Sequence, residues 1–190
     1  RMNNLVTDLL MLTRLDAATS STEGQAIDVA PMLAQIQSDA LELSGENAHL
    51  INVECQSSCQ LLGSPGLIRS ALNNLVFNAV HYSPPGSTID ICWKKTATGA
   101  VLSVADQGRG IEQHHIPRLT ERFYRVDSGR SSDAGGTGLG LAIVKHALQR
   151  HDARLDISSR SNRGSVFSCI FPEDRLIDLA APTPDEIETP

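Results

Sequence analysis

Residues 135–140 carry four glycines in six positions, and the chain then runs straight into the apolar helical pattern LGLAIVKHAL. A glycine loop that opens a helix brings backbone N–H groups and the positive end of the helix dipole to one point, which suits phosphate oxygens. The phosphate-binding designs that use this device demand different folds. A P-loop needs Gly, four residues, then Gly-Lys-Ser/Thr. No such run exists here, because Lys145 falls five residues after Gly140, inside the helix. A dinucleotide fingerprint needs its glycines directly after a strand. The preceding SGRSSDA is polar and has no strand propensity. Both parallel-sheet designs are therefore excluded. What remains is a glycine loop closed by a helix N-terminus at Leu139.

The rest of the chain agrees with that exclusion. Helical spacing is expected over residues 31–44, with Pro31 tolerated in the first turn, over 65–82, in a short piece near 112–119, and over 139–150. Strands are expected at 49–55, 60–62, 88–95, 100–106, 154–159 and 165–171, with TATG and SNRG as hairpin turns. Hairpin-linked strands and helices in blocks favour an α+β fold: a two-layer sandwich of a mixed, mostly antiparallel sheet and a helical layer. Ahead of it, Met2, Leu5, Val6, Leu9, Leu10, Leu12 and Leu15 give residues 1–16 a separate amphipathic helix. The small, polar 17–26 reads as a linker, 27–171 as the main domain, and the Pro-rich acidic 172–190 as a flexible tail. The opening Arg-Met-Asn-Asn starts in mid-pattern, as a fragment does.

Charge narrows the ligand. The net charge is −6, but the segment from Pro172 onward holds six acids against Arg175 alone, so the remainder is close to neutral. A nucleic-acid binder would present a basic face, and this chain does not. An anionic ligand must then be met by local cations, a metal or helix ends. The four cysteines show no C-x-x-C spacing and read as free thiols, with a Cys55–Cys59 disulfide or metal site as the alternative.

Three further stretches carry chemistry. In PGLIRSALNNLVFNAVHY, Asn74 and Asn78 lie four residues apart and share one face of a helix whose Leu67, Ile68, Ala71, Leu72, Leu75, Val76 and Ala79 are apolar. Their amide oxygens are hard neutral ligands of the kind Mg²⁺ accepts beside water and phosphate. Tyr82 extends the face by one turn and offers a ring to a base. In AVLSVADQGRGIE, Asp106 ends a strand, and Gly108 and Gly110 permit close approach. A carboxylate so placed can accept a hydrogen bond from an exocyclic amine such as that of adenine.

Taken in order, these motifs resemble the ATP-binding catalytic domain of sensor histidine kinases, which shares its fold with DNA gyrase and a heat-shock chaperone. NLVFNAVHYSP resembles the family's asparagine box, DQGRGI the first glycine box, RFYRVD the phenylalanine box and GTGLGLAIVK the second glycine box. The resemblance covers residues 27–171. RMNNLVTDLLMLTRLD resembles the second helix of the dimerisation and phosphotransfer domain. IPRLTERFYRVD and GLAIVKHAL are most similar to the phosphate-regulon branch of the family.

The resemblance implies ATP and Mg²⁺ as ligands. It implies Asn78 and Asn74 at the metal and phosphates, Asp106 at the adenine amine, Tyr82 against the ring, and Gly108 and Gly110 beside it. Gly136, Thr137, Gly138, Leu139 and Gly140 would shape the loop over the triphosphate, with Arg125, Arg130 and Lys145 as cations and Arg125 nearest the transferred group. It also implies a response regulator as partner, an upstream phosphoacceptor domain, a homodimeric full-length protein, and a cytoplasmic place beneath a bacterial inner membrane. Two departures stand out. His81 occupies a position where the family often carries Lys. The family's acceptor motif, His followed by Glu-Leu-Arg-Thr-Pro, is absent, and His151-Asp152-Ala153-Arg154 mimics its core but runs into a strand pattern.

Overall fold

The computed structural model describes residues 24–126 and 137–178. Within them the elements follow in the order β1 (Gln25–Ile27), α1 (Val29–Ser44), β2 (Leu50–Cys55), β3 (Gln60–Gly63), α2 (Pro65–Tyr82), β4 (Thr88–Thr96), β5 (Gly99–Asp106), α3 (Gly140–Gln149), β6 (Arg154–Ser159), β7 (Ser165–Pro172) and β8 (Leu176–Ile177). The large sheet runs β2-β4-β5-β7-β6, and a small antiparallel sheet runs β1-β3-β8. Among the described residues only β2 and β4 pair in parallel, and the chain between them crosses over through β3 and α2, as parallel neighbours require. The α+β sandwich expected from the sequence is the fold observed.

Period-two alternation builds the layer that faces the helices. Ile91, Val104 and Phe167 form one cross-strand row, and Trp93, Leu102 and Cys169 the next. All six side chains are buried. Trp93 meets Phe171 edge-on at 6.1 Å, a favoured aromatic geometry. Against this surface α2 lays Ile68, Ala71, Leu72, Leu75, Val76, Ala79 and Val80, all buried. Burial of each large side chain stabilises the fold by about 1.5–3 kcal/mol. Pro65 starts α2 where a missing N–H costs nothing, and Pro84, directly after Ser83, ends it.

Three expectations need correction. The segment near 112–119 is a single 3-10 turn, Ile116–Arg118, flanked by hydrogen-bonded turns. Pro117 has no N–H to give to a helical ladder. Gln25 and Ala26, read as the end of a linker, pair with Gly63 and Leu62 in the small sheet. Residues 172–178, read as the start of a flexible tail, complete β7 and supply β8, where Leu176 pairs with Leu61. Arg175 reaches Asp152 at 2.6 Å and Lys95 reaches Asp178 at 2.7 Å. An acidic composition hid two apolar residues sufficient for a two-residue strand. The helix expected at residues 1–16 and the tail expected from 179 onward lie outside the described residues. Among the described residues the four cysteines are free thiols, and burial pushes Cys169 up to about 12.

His151, the mimic of the acceptor motif, is fully buried. Its Nδ1–H donates to the Ala147 carbonyl at 2.6 Å, and its Nε2 accepts the Ser64 N–H at 2.9 Å. One nitrogen donates and the other accepts, so the ring is neutral. Burial lowers its pKa, against the opposing pull of the Ala147 carbonyl. The native ring resists a proton that the unfolded chain takes up below about pH 6.5. The unfolded state therefore binds more protons as pH falls, and stability drops with it. His151→Leu is expected to melt lower at pH 8, by about 1–3 kcal/mol for the orphaned Ser64 N–H, and to lose less than wild type between pH 7 and pH 5.5. Thermal melts of both proteins across that range check this. Parallel pH curves would contradict it.

Candidate functional site

The second half of α2 carries the site. Asn74, Asn78 and Tyr82 repeat every fourth residue. The first two are half-buried, and Tyr82 keeps 40% of its surface exposed, leaving ring area for a ligand. Asn74 Nδ2 donates to the Ser70 carbonyl at 2.9 Å, which fixes the amide plane and turns Oδ1 away from that bond. Asn78 makes no side-chain hydrogen bond among the described residues. Its amide is thus available to a ligand.

Two glycines let other segments close onto this face. A Cβ on Gly140, the first residue of α3, would stand 2.6 Å from Asn74 Oδ1. A Cβ on Gly108 would stand 2.7 Å from the Tyr82 carbonyl and 2.8 Å from Asp106 Oδ1. Glycine is what allows the approach in both places. The start of α3 therefore abuts Asn74, and the first glycine loop abuts Tyr82. Leu139, fully buried with Ile143, anchors that end of α3, and its N–H reaches Thr137 Oγ1 at 3.2 Å.

Asp106 is half-buried at the end of β5. Its Oδ1 accepts the N–H groups of Gly108 at 2.8 Å and Ser165 at 3.2 Å. Burial raises its carboxyl above the usual aspartate range, and the bonds from Gly108 and Ser165 offset part of that rise. Both backbone donors fall on Oδ1, so Oδ2 receives neither. The Arg109 guanidinium lies 5.4 Å over the Tyr82 ring.

The phenylalanine-box segment meets the second glycine loop. Phe123 N–H donates to the Gly138 carbonyl at 2.9 Å, and both residues take positive φ, 66° and 71°. Phe123 is 60% exposed despite its size and its strained backbone. Arg125 and Lys145 are exposed, and among the described residues neither is tied to Asn74, Asn78 or Asp106 by an ion pair or hydrogen bond. Gly110, at φ 67°, packs on the Arg160 carbonyl. Arg130 and Gly136 lie outside the described residues.

Sequence reasoning missed Ser165 and Ser159, which stand behind Asp106. The alternation in RLDISS and SVFSCIF carried the signal, because it puts both serines on the apolar face. The left-handed backbone of Phe123 had no signal at all.

A family model described as "Histidine kinase-, DNA gyrase B-, and HSP90-like ATPase" matches residues 63–175. The phosphate regulon sensor protein PhoR of Pseudomonas aeruginosa is 48% identical over 184 residues, 97% of this chain and 42% of that protein. The sensor-like histidine kinase SenX3 of Mycobacterium tuberculosis is 35% identical over 173 residues, 90% of this chain and 42% of that protein. The chain thus spans well under half the length of these curated relatives. Full-length ShkA, solved in complex with AMPPNP, superposes with a TM-score of 0.81 at 26% identity, over 95% of this chain and 37% of that one.

Proposed function

The chain belongs to the histidine kinase-, DNA gyrase B- and HSP90-like ATPase family, and we propose that it is the ATP-binding kinase domain of a sensor histidine kinase, passing the γ-phosphoryl group of ATP to a histidine on a separate upstream domain. One observation carries this reading: Gly108 and Gly140 bring the base-side loop and the phosphate-side helix start onto one face of α2. Relatives named as sensors of the phosphate regulon support a phosphate-responsive system.

In this reading Asp106 accepts the adenine amine through Oδ2, while Tyr82 lies against the ring. The first-turn N–H groups of α3 and the Gly138 backbone hold phosphate oxygens. Asn78 and Asn74 would hold Mg²⁺ through their amide oxygens, which fit a hard cation that keeps several waters and takes substrate phosphates. The ion's contribution there is to neutralise charge on the triphosphate. Arg125 and Arg130 would add positive charge at the transferred group, and Lys145 a further cation beyond the glycine loop. Phosphoryl transfer asks mainly for positioning and charge neutralisation, which these residues supply.

The acceptor is not His151, whose ring is sealed in the core. From the upstream histidine the phosphoryl group would pass to an aspartate of a response regulator. The full-length protein in this reading is a homodimer, with this domain on the cytoplasmic side of a bacterial inner membrane. No helix among the described residues is long and apolar enough to cross a membrane. A steady ATPase of the gyrase type would carry a water-activating carboxylate in α2, and none occurs in its 18 residues.

Calorimetric titration of the chain with a non-hydrolysable ATP analogue tests the binding half. Saturable one-to-one binding, tightened by Mg²⁺, is expected. No heat with or without Mg²⁺ would sink the reading.

A further inference from the structure

The register of the large sheet sets Asp106, Ser165 and Ser159 side by side on β5, β7 and β6. They form the last row of the face that meets the helices. The two rows before it are Val104, Phe167 and Ile157, then Leu102, Cys169 and Leu155. Hydroxyls so placed need partners, because a buried polar group left unpaired is costly. Ser159 is 4% exposed and Ser165 is 6% exposed, and each hydroxyl is hydrogen-bonded.

Ser159 Oγ accepts the Ile111 N–H at 2.8 Å, donates to the Gly164 carbonyl at 2.9 Å and lies 3.0 Å from Ser165 Oγ. The Ser159 carbonyl accepts Gln113 Nε2 at 2.7 Å, and the Asn162 N–H reaches the Arg109 carbonyl at 2.6 Å. Gly110 backs onto the Arg160 carbonyl, and Gly164 onto the Asp106 carbonyl. The β6–β7 turn is therefore clamped to the glycine loop along residues 106–113, with Ser159 at the centre. Proton counting adds a second link. Each serine has one hydroxyl proton. The Ser159 proton goes to the Gly164 carbonyl, so Ser165 donates its own to Ser159 Oγ, and the same Ser165 holds Asp106 Oδ1 through its backbone N–H.

We propose that Ser159 is a positioning residue for base recognition: it holds the glycine loop and Asp106 in the geometry that reads an exocyclic amine. This rests on the reading of Asp106 as the base contact. Ser159 acts through Asp106, so its loss falls on the amine and not on the nucleotide as a whole.

The test compares ATP with purine riboside triphosphate, which lacks the 6-amino group, by calorimetry on the 1–190 chain in Mg²⁺. Wild type is expected to prefer ATP. Ser159→Ala is expected to lose about tenfold in ATP affinity while its affinity for the purine analogue stays within about twofold. Ser165→Ala removes the hydroxyl contact with Ser159 and leaves the Ser165 N–H bond to Asp106. It should show the same selective loss, and it carries the test if Ser159→Ala melts below the assay temperature. An equal loss on both nucleotides, or none, overturns the proposal and leaves Ser159 a structural residue. A wild type that binds both nucleotides equally overturns the reading of Asp106 itself, and this inference with it.

Discussion

Asp106→Asn is expected to cost on the order of a hundredfold in ATP affinity while leaving the melting temperature at pH 7.5 unchanged or higher. The amide keeps an oxygen for the N–H groups of Gly108 and Ser165, so the loop stays in place. It presents an NH₂ where Oδ2 stood, and a donor then faces the donor of the adenine amine. Stability moves the other way. Burial raises the native pKa of Asp106, so the fold favours the neutral form, and the ionised carboxylate is a cost at neutral pH. That contribution is most favourable at low pH and is lost as pH rises through the native pKa. Replacing the carboxylate by a neutral amide removes it. Titration and melting of the same sample separate the two effects. Unchanged affinity would mean that the base is read elsewhere. A matching fall in melting temperature would mean that Asp106 is structural.

Asn78→Ala should abolish phosphoryl transfer to below about one hundredth of wild type, again with the fold intact. Asn74 differs from Asn78 in what holds it. Asn74 is bonded to the Ser70 carbonyl and sits against Gly140, so its removal would disturb the join of α2 and α3. Asn78 has no such bond among the described residues. Ala in mid-helix is favoured over Asn by about 0.5 kcal/mol, so the variant should melt no lower than wild type. ATP affinity should become nearly independent of Mg²⁺. Full transfer by the variant would remove Asn78 from the metal and phosphate site.

The legible parts of this fold were those in which a pattern repeats over many residues. α2 showed itself through an apolar stripe, Ile68, Ala71, Leu72, Leu75, Val76, Ala79 and Val80, repeating at helical spacing along its 18 residues. The β4–β5 and β6–β7 hairpins showed alternation and turn residues together. The small sheet showed neither, because β1 has three residues and β8 two, and each exists only through its pairing with β3. Pro117 turned an expected short helix into a 3-10 turn. The motif residues of the site were legible one segment at a time, but their meeting was not. That depends on two absent Cβ atoms, at Gly108 and Gly140, and on chain segments far apart in sequence. Ser159 and Ser165 escaped because a serine at the end of a strand looks like a turn residue until the register aligns it with Asp106.

The central claim is that ATP bound here delivers its γ-phosphoryl group to a histidine outside this chain. The direct measurement supplies that histidine: the chain, γ-labelled ATP and Mg²⁺ are mixed with a separately purified phosphoacceptor domain of a related sensor kinase. The expected result is acid-labile, base-stable label on the acceptor domain, lost when its histidine is replaced. No label on the acceptor while the chain demonstrably binds ATP, or label that persists without the acceptor histidine, would contradict the account.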